Sequence, residues 1–223
     1  MYYNSPMRIT SLQTQANNPE RVNLFVDDRF LLGINALLAM QLDLRVGQEI
    51  SQEQLEQIQN SEALQQSVDR ALNYLSFRPR SRQEVRNYLR RKGTPPEHIE
   101  AVFERLDRME LVNDRSFASF WLETREHFSP KGAQALKNEL RQKGLQRDII
   151  DEMVDDTNDE ERAARAAEKK ALALLRQPDI DYATFYRRLG GFLQRRGFNF
   201  EVTKRTVKRI WEEQREETID DEE

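Results

Sequence analysis

Hydrophobic positions along the chain change their period once, near residue 50. Before that point Val22, Leu24 and Val26 alternate with polar neighbours, the two-residue period of a half-buried strand. The segments MRITSLQTQ, RVNLFVD and RFLLGIN are separated by the turn signals Ala16-Asn17-Asn18-Pro19 and Asp27-Asp28, which predicts an antiparallel meander of two or three strands. A short helix over Ala36–Leu42 and the extended stretch RVGQEIS follow. This segment carries too few Leu, Val, Ile and Phe to stand alone, so it is expected to dock on what comes next.

From Ser51 the period becomes helical. Val68, Ala71, Leu72 and Leu75 fall at i, i+3, i+4, i+7. Ser81-Arg82-Gln83-Glu84 reads as a capping box that starts a helix with the stripe Val85, Tyr88 and Leu89, and Gly93 supplies a left-handed residue beyond its end. Thr94-Pro95-Pro96-Glu97 reads as a second box, ahead of Ile99, Val102, Phe103 and Leu106. Asn113 and Ser129-Pro130 are expected to open further helices, Thr157-Asn158-Asp159-Glu160 to cap an Ala-rich helix reaching about Arg176, and Asp181 and Asn199 to precede the last two.

One motif recurs. LRRKG at Leu89–Gly93, LRQKG at Leu140–Gly144 and LQRRG at Leu193–Gly197 are 51 and 53 residues apart, each with an aliphatic four residues earlier (Val85, Leu136, Leu189) and a helical stripe beyond the glycine. A period near 50 implies a tandem array of three-helix units whose neighbours complete one another's cores. The expected fold is mainly α: a small β-rich N-terminal extension with a short helix over 1–60, then three-helix repeats over 61–112, 113–156 and 157–215, and a disordered acidic tail over 216–223.

Composition narrows the function. The chain has no cysteine, and Gly plus Pro make only 15 of 223 residues, so disulfide scaffolds, thiolate metal sites and Gly/Pro-rich disorder are excluded. No signal peptide and no run near the roughly 18 apolar residues of a membrane span are visible, which predicts a cytoplasmic protein without a membrane role. Glycines 190, 191 and 197 lack the preceding strand of a phosphate loop, no serine lies in G-x-S-x-G, and His98 and His127 have no metal-ligand spacing and read as surface residues. No enzyme, cofactor or metal is expected. Phe117, Phe120, Trp121, Tyr182, Phe185, Tyr186, Phe192, Phe198 and Trp211 could stack bases, but their helical spacing reads as core.

The net charge of −4 conceals segregation: Arg78 to Lys92 holds seven basic side chains against Glu84 alone. Basic residues also recur at the end of each middle helix: Arg90, Arg91 and Lys92; Arg141 and Lys143; Arg195 and Arg196. Such a row could follow a nucleic-acid backbone or an acidic protein groove. The helix macrodipole offers a second account of the same charges.

The runs ALNYLSFRPRSRQEVRNYLRRKG (Ala71–Gly93), FASFWLETR (Phe117–Arg125), KGAQALKNELRQKGL (Lys131–Leu145) and FLQRRGF (Phe192–Phe198) resemble the RecX family of recombination regulators, over most of residues 65–215. RVNLFVDDRFLLGINALL with LRVGQEIS resembles the β-rich extension of some members. Leu145 stands where the motif more often has isoleucine, and the acidic tail lies outside the pattern. The resemblance implies an elongated, curved array that binds the RecA filament on single-stranded DNA and limits filament extension, ATPase and strand exchange in recombination and DNA repair. A monomer is expected. The recombinase- or DNA-contact candidates are Arg78, Arg82, Arg90, Arg91, Lys92, Arg125, Lys131, Arg141, Lys143, Arg187, Arg188, Arg195 and Arg196. The alternative is a generic single-stranded nucleic-acid-binding scaffold.

Overall fold

The computed structural model describes residues 7–177 and 179–220, among which there are four strands and ten helices. Strands β1 (Met7–Gln15), β2 (Asn18–Val26) and β3 (Arg29–Asn35) form the expected antiparallel meander, and β4 (Glu49–Ile50) adds to the free edge of β1, giving the order β3-β2-β1-β4. Asp27 and Asp28 both take positive φ, 48° and 61°, as a two-residue hairpin turn matched to strand twist requires. The fourth strand, drawn from RVGQEIS, is two residues long and too short to show a period.

Helix α1 (Ala36–Gln41) follows β3, and α2 (Gln52–Leu75) starts at a Ser51–Gln54 capping box. The inward residues Ile9, Leu24, Val26 and Ile34 form one core with Leu38, Ile50, Leu55 and Ile58, so the sheet is closed by α1 and the first turns of α2. Glu62 of α2 is buried there with its charge satisfied: Arg21 donates to Oε1 at 2.7 Å and the Asn35 N–H to Oε2 at 2.8 Å.

The remaining helices are α3 (Arg82–Arg91), α4 (Pro96–Arg108), α5 (Asp114–Phe128), α6 (Ala133–Gln142), α7 (Arg147–Met153), α8 (Asp159–Leu175), α9 (Tyr182–Arg195) and α10 (Phe200–Asp220). Together with α2 they fall in threes, with α3, α6 and α9 in the middle. The chain divides into two compact units, Met1–Arg78 with Val85–Leu111, and Pro79–Glu84 with Val112–Glu223. In the first, Val68, Ala71, Val85, Leu89, Val102, Phe103 and Leu106 are buried. The second has one cluster around Phe117, Leu136, Leu140 and Ile150, and another around Phe185, Leu189 and Leu193, where Ala163, Ala167 and Ala171 give α8 a narrow face that α9 and α10 approach closely.

Helix starts agree with the sequence at Ser81, Asn113, Asp181 and Asn199, each of whose side chains accepts a first-turn N–H. Three others differ. Thr94 does not cap α4; its hydroxyl donates to Ser67 Oγ at 3.3 Å, and Pro95 occupies the cap position. Ser129 ends α5 instead of opening α6, which begins after Gly132. Thr157 hydrogen-bonds Asp155, and α8 has no side-chain cap. His98 is buried, not a surface residue: its Nε2 lies 2.6 Å from Asn60 Oδ1, a partner 38 residues away. His127 is exposed. Of the aromatics, Phe117, Phe185 and Phe198 are buried, whereas Tyr182 stays exposed at the start of α9. Helix α10 continues into the acidic segment as far as Asp220, and residues 221–223 lie outside the described residues.

Ser81 does two jobs. Its Oγ accepts the Glu84 N–H at 3.1 Å and donates to the Lys143 carbonyl at 2.6 Å. Ser81→Ala is expected to lower stability by about 2 kcal/mol, from a lost cap together with a half-buried carbonyl left without its donor, read as the urea midpoint. A loss within a few tenths of a kcal/mol would show that neither bond matters.

Candidate functional site: the basic ends of the middle helices

The three recurring motifs fold identically. After α3, α6 and α9 the glycine takes φ +75°, +83° and +85° at Gly93, Gly144 and Gly197. The next residue's N–H reaches back to the motif's leucine carbonyl: Thr94 to Leu89 at 3.1 Å, Leu145 to Leu140 at 3.2 Å and Phe198 to Leu193 at 3.3 Å. The glycine N–H bonds Arg90, Arg141 or Gln194 in the same way. This double bond is the Schellman ending, which needs a residue tolerant of positive φ.

Two of the three endings are docked. A Cβ on Gly144 would collide with Gln83 Cβ, and one on Gly197 with Ala135, whereas one on Gly93 would meet nothing within 4 Å. The turn after α6 rests on the start of α3, where Ser81 takes the Lys143 carbonyl. The turn after α9 rests on the start of α6, where the Gly132 N–H donates to the Arg196 carbonyl at 3.0 Å. At each joint the first residue of the next repeat's opening helix, an aspartate, closes the arrangement: Arg82 N–H donates to Asp114 Oδ1 at 2.8 Å, and Ala133 N–H to both Asp159 oxygens at 3.0 and 3.1 Å. Orphan carbonyls at one helix end thus meet donors at the start of another, which suits both dipoles, and the carboxylate adds an anion at the N-terminal end. Both joints lie within the second unit.

The joints sort the candidate cations. Lys143 Nζ is 2.9 Å from Glu84 Oε1 and sits 4.7 Å from the Trp121 ring centroid. Arg196 donates to Ser129 Oγ at 3.3 Å and the Pro130 carbonyl at 3.1 Å, over the Phe192 ring. Arg125 and Lys131 both pair with Glu139. Arg78 and Arg82 are half-buried before and at the start of α3. The exposed ones are Arg90, Arg91 and Lys92 at the undocked turn, Arg141 beside Asn138, and Arg187, Arg188 and Arg195 on α9, where Arg188 bonds Gln177 at 2.7 Å. Sequence reasoning places Glu139 in a family-like run and reads Asn113 and Thr157-Asn158-Asp159-Glu160 as helix starts, but it does not foresee the joint roles of the Asn-Asp pairs at 113–114 and 158–159. The pairs recur 45 residues apart, a signal that a search for a second repeated motif would find.

Glu139 accepts from Trp121 Nε1 at 2.9 Å, Arg125 Nε at 2.8 Å and Lys131. Burial opposes its ionisation, but the bonds from Lys131, Arg125 and Trp121 outweigh it and hold the carboxyl below its ordinary 4.5. The stabilisation is therefore present above that value and is lost as pH falls through the lower folded one. Burial has the opposite result at Asp159, whose carboxyl sits above its ordinary 3.8 despite the Ala133 N–H and Arg162. Its contribution is present below that value and lost as pH rises through the folded one. Glu139→Gln is expected to cost about 2 kcal/mol at pH 7, a deficit that shrinks as pH falls below the carboxyl's ordinary 4.5 and through its lower folded value. A deficit independent of pH would mean that the carboxylate's charge is not what binds the three donors.

Among the described residues no helix is long and apolar enough to cross a membrane, and no three His, Asp or Glu are grouped to hold a metal.

Four family models match the chain. The one described as Regulatory protein RecX N-terminal domain covers residues 7–51, and those for the first, second and third RecX three-helix domains cover 68–106, 113–154 and 158–207. Regulatory protein RecX of Bacillus subtilis (strain 168) is 31% identical over 210 residues, 94% of this chain and 80% of the relative. That of Bacillus pumilus (strain SAFR-032) is 30% identical over 209 residues, with the same coverage. A crystal structure of regulatory protein RecX superposes with a TM-score of 0.69 at 24% identity, over 91% of this chain and 99% of that one. RecX from Lactobacillus salivarius gives 0.58 at 24%, over 67% and 97%. Both share the fold.

Proposed function

The chain belongs to the RecX family of regulatory proteins, and from that premise we propose that it regulates homologous recombination and DNA repair in the cytoplasm without catalysis of its own. It binds the RecA filament on single-stranded DNA and limits filament extension, ATPase and strand exchange. The observation that carries this reading is the undocked basic turn. The same ending is docked on a neighbouring helix twice, yet after α3 it leaves Arg90, Arg91 and Lys92 exposed around a glycine with open space beside it. Arg187, Arg188 and Arg195 add an exposed group in the third repeat. Contacts from linked repeats become intramolecular after the first, a gain of roughly 10²–10⁴ in avidity when they engage together.

Binding to a preformed recombinase–DNA filament and to the bare strand, compared over a salt series, tests this. Tight binding to the filament and weak binding to the strand are expected. Equal affinity for both, falling with a log–log salt slope near −3 as about four neutralised phosphates would give, means a generic strand binder instead.

A further inference from the structure

Helix α5 ends in Glu126-His127-Phe128, and Phe128 is 84% exposed. Its one ring neighbour among the described residues is His127, at 6.4 Å and 76°. A lone exposed leucine needs no explanation; a phenylalanine held out at the end of a helix and at the edge of a groove does. That groove, of about 530 Å³, lies between the end of α5, the middle of α8 and the last turns of α9. Phe192 lines it, with the Arg196 guanidinium 4.7 Å from its ring centroid.

The charges of the groove are unbalanced. Glu126 is already paired with Arg165. Lys169 and Lys170, exposed on α8, have no carboxylate within ion-pair distance among the described residues, and only Glu168 stands against them. An apolar protein segment would meet mostly charged walls here. An aromatic face beside unmatched cations suits a base flanked by phosphates, and the volume is within the roughly 300–1,000 Å³ of small-ligand sites.

The placement is repeated. Phe77 occupies the equivalent position 51 residues earlier and is 79% exposed, and both phenylalanines stand two residues before a proline and three before a cation: Pro79 and Arg80, Pro130 and Lys131. The third repeat, 53 residues on, has Asp181 there.

We propose that this groove is a single-stranded nucleic-acid subsite, in which Phe128 stacks on a base while Lys169 and Lys170 take the adjoining phosphates. It deepens the proposed function and rests on it for the presence of a strand. The test uses the full chain without recombinase, so the two can fail separately. Fluorescence anisotropy with a labelled oligo-dT strand and an abasic strand of equal length separates stacking from charge. Phe128→Ala is expected to weaken oligo-dT binding about tenfold and leave abasic binding unchanged. Lys169→Ala with Lys170→Ala should weaken both. Phe128→Trp should keep the affinity and show emission quenched by oligo-dT but not by the abasic strand. Wild-type oligo-dT affinity in Phe128→Ala, or equal losses on both strands, overturns stacking at Phe128 and leaves filament regulation standing. Binding of poly-glutamate that depends on Phe128, with oligo-dT binding that does not, reassigns the groove to an acidic protein.

Discussion

Replacing Gly197 by alanine is expected to lower stability by about 3 kcal/mol, whereas the same change at Gly93 costs about 1 kcal/mol. Both glycines have positive φ, so both substitutions carry the cost of putting a Cβ into the left-handed region. Only Gly197 adds a collision, because its Cβ would press on the Ala135 side chain and lie 2.8 Å from the Ala135 nitrogen, in the joint that the Gly132 N–H and the Arg196 carbonyl hold shut. The two tryptophans, Trp121 and Trp211, both lie in the second unit, so their fluorescence in urea follows the Gly197 variant, and circular dichroism serves for Gly93. Equal losses at the two positions would mean that the turn after α9 bears no load on α6.

Charge reversal at the undocked turn is expected to have the largest effect on function. Arg90→Glu with Arg91→Glu should weaken binding to a recombinase filament by about 10- to 100-fold, with helicity retained and stability lowered by only about 1 kcal/mol through the dipole of α3, because both side chains are exposed and removal of one engaged repeat forfeits much of the avidity of the set. Lys143→Ala is the contrasting case. Its ammonium is committed to Glu84 and Trp121, so any loss of binding should follow a measurable loss of stability. A Lys143 variant with full stability and no filament binding would show that the joint is not what that lysine serves.

What the sequence discloses follows the range of the interactions involved. The Schellman glycines and the caps at Ser81, Asn113, Asp181 and Asn199 are local, each set by residues within five positions of one another, and the recurrence of the glycine motif gives the three-helix period. The joints are not. Ser81 meets Lys143 across 62 residues and Arg196 meets Pro130 across 66, and no periodicity encodes such pairs. For the same reason the start of α6 falls later than Ser129-Pro130 suggests: the Gly132 N–H is engaged by Arg196, so the backbone there needs no serine cap. Recurrent basic residues read in sequence as one row therefore divide in the fold. Lys143 and Arg196 hold repeats together, Arg125 and Lys131 neutralise Glu139, and Arg90, Arg91, Lys92 and Arg195 face solvent. Phe77 and Phe128 escaped notice because an exposed and a buried phenylalanine look alike in a sequence; only their shared spacing to proline sets them apart.

The single-strand-DNA-dependent ATPase of the cognate RecA, measured while the helical, purified protein is titrated in, tests the central claim most directly. A fall in ATPase at ratios well below one protein per recombinase is the predicted result, since blocking extension of a filament stops many protomers at once. An ATPase unchanged up to equimolar protein would contradict regulation of the recombinase by this chain.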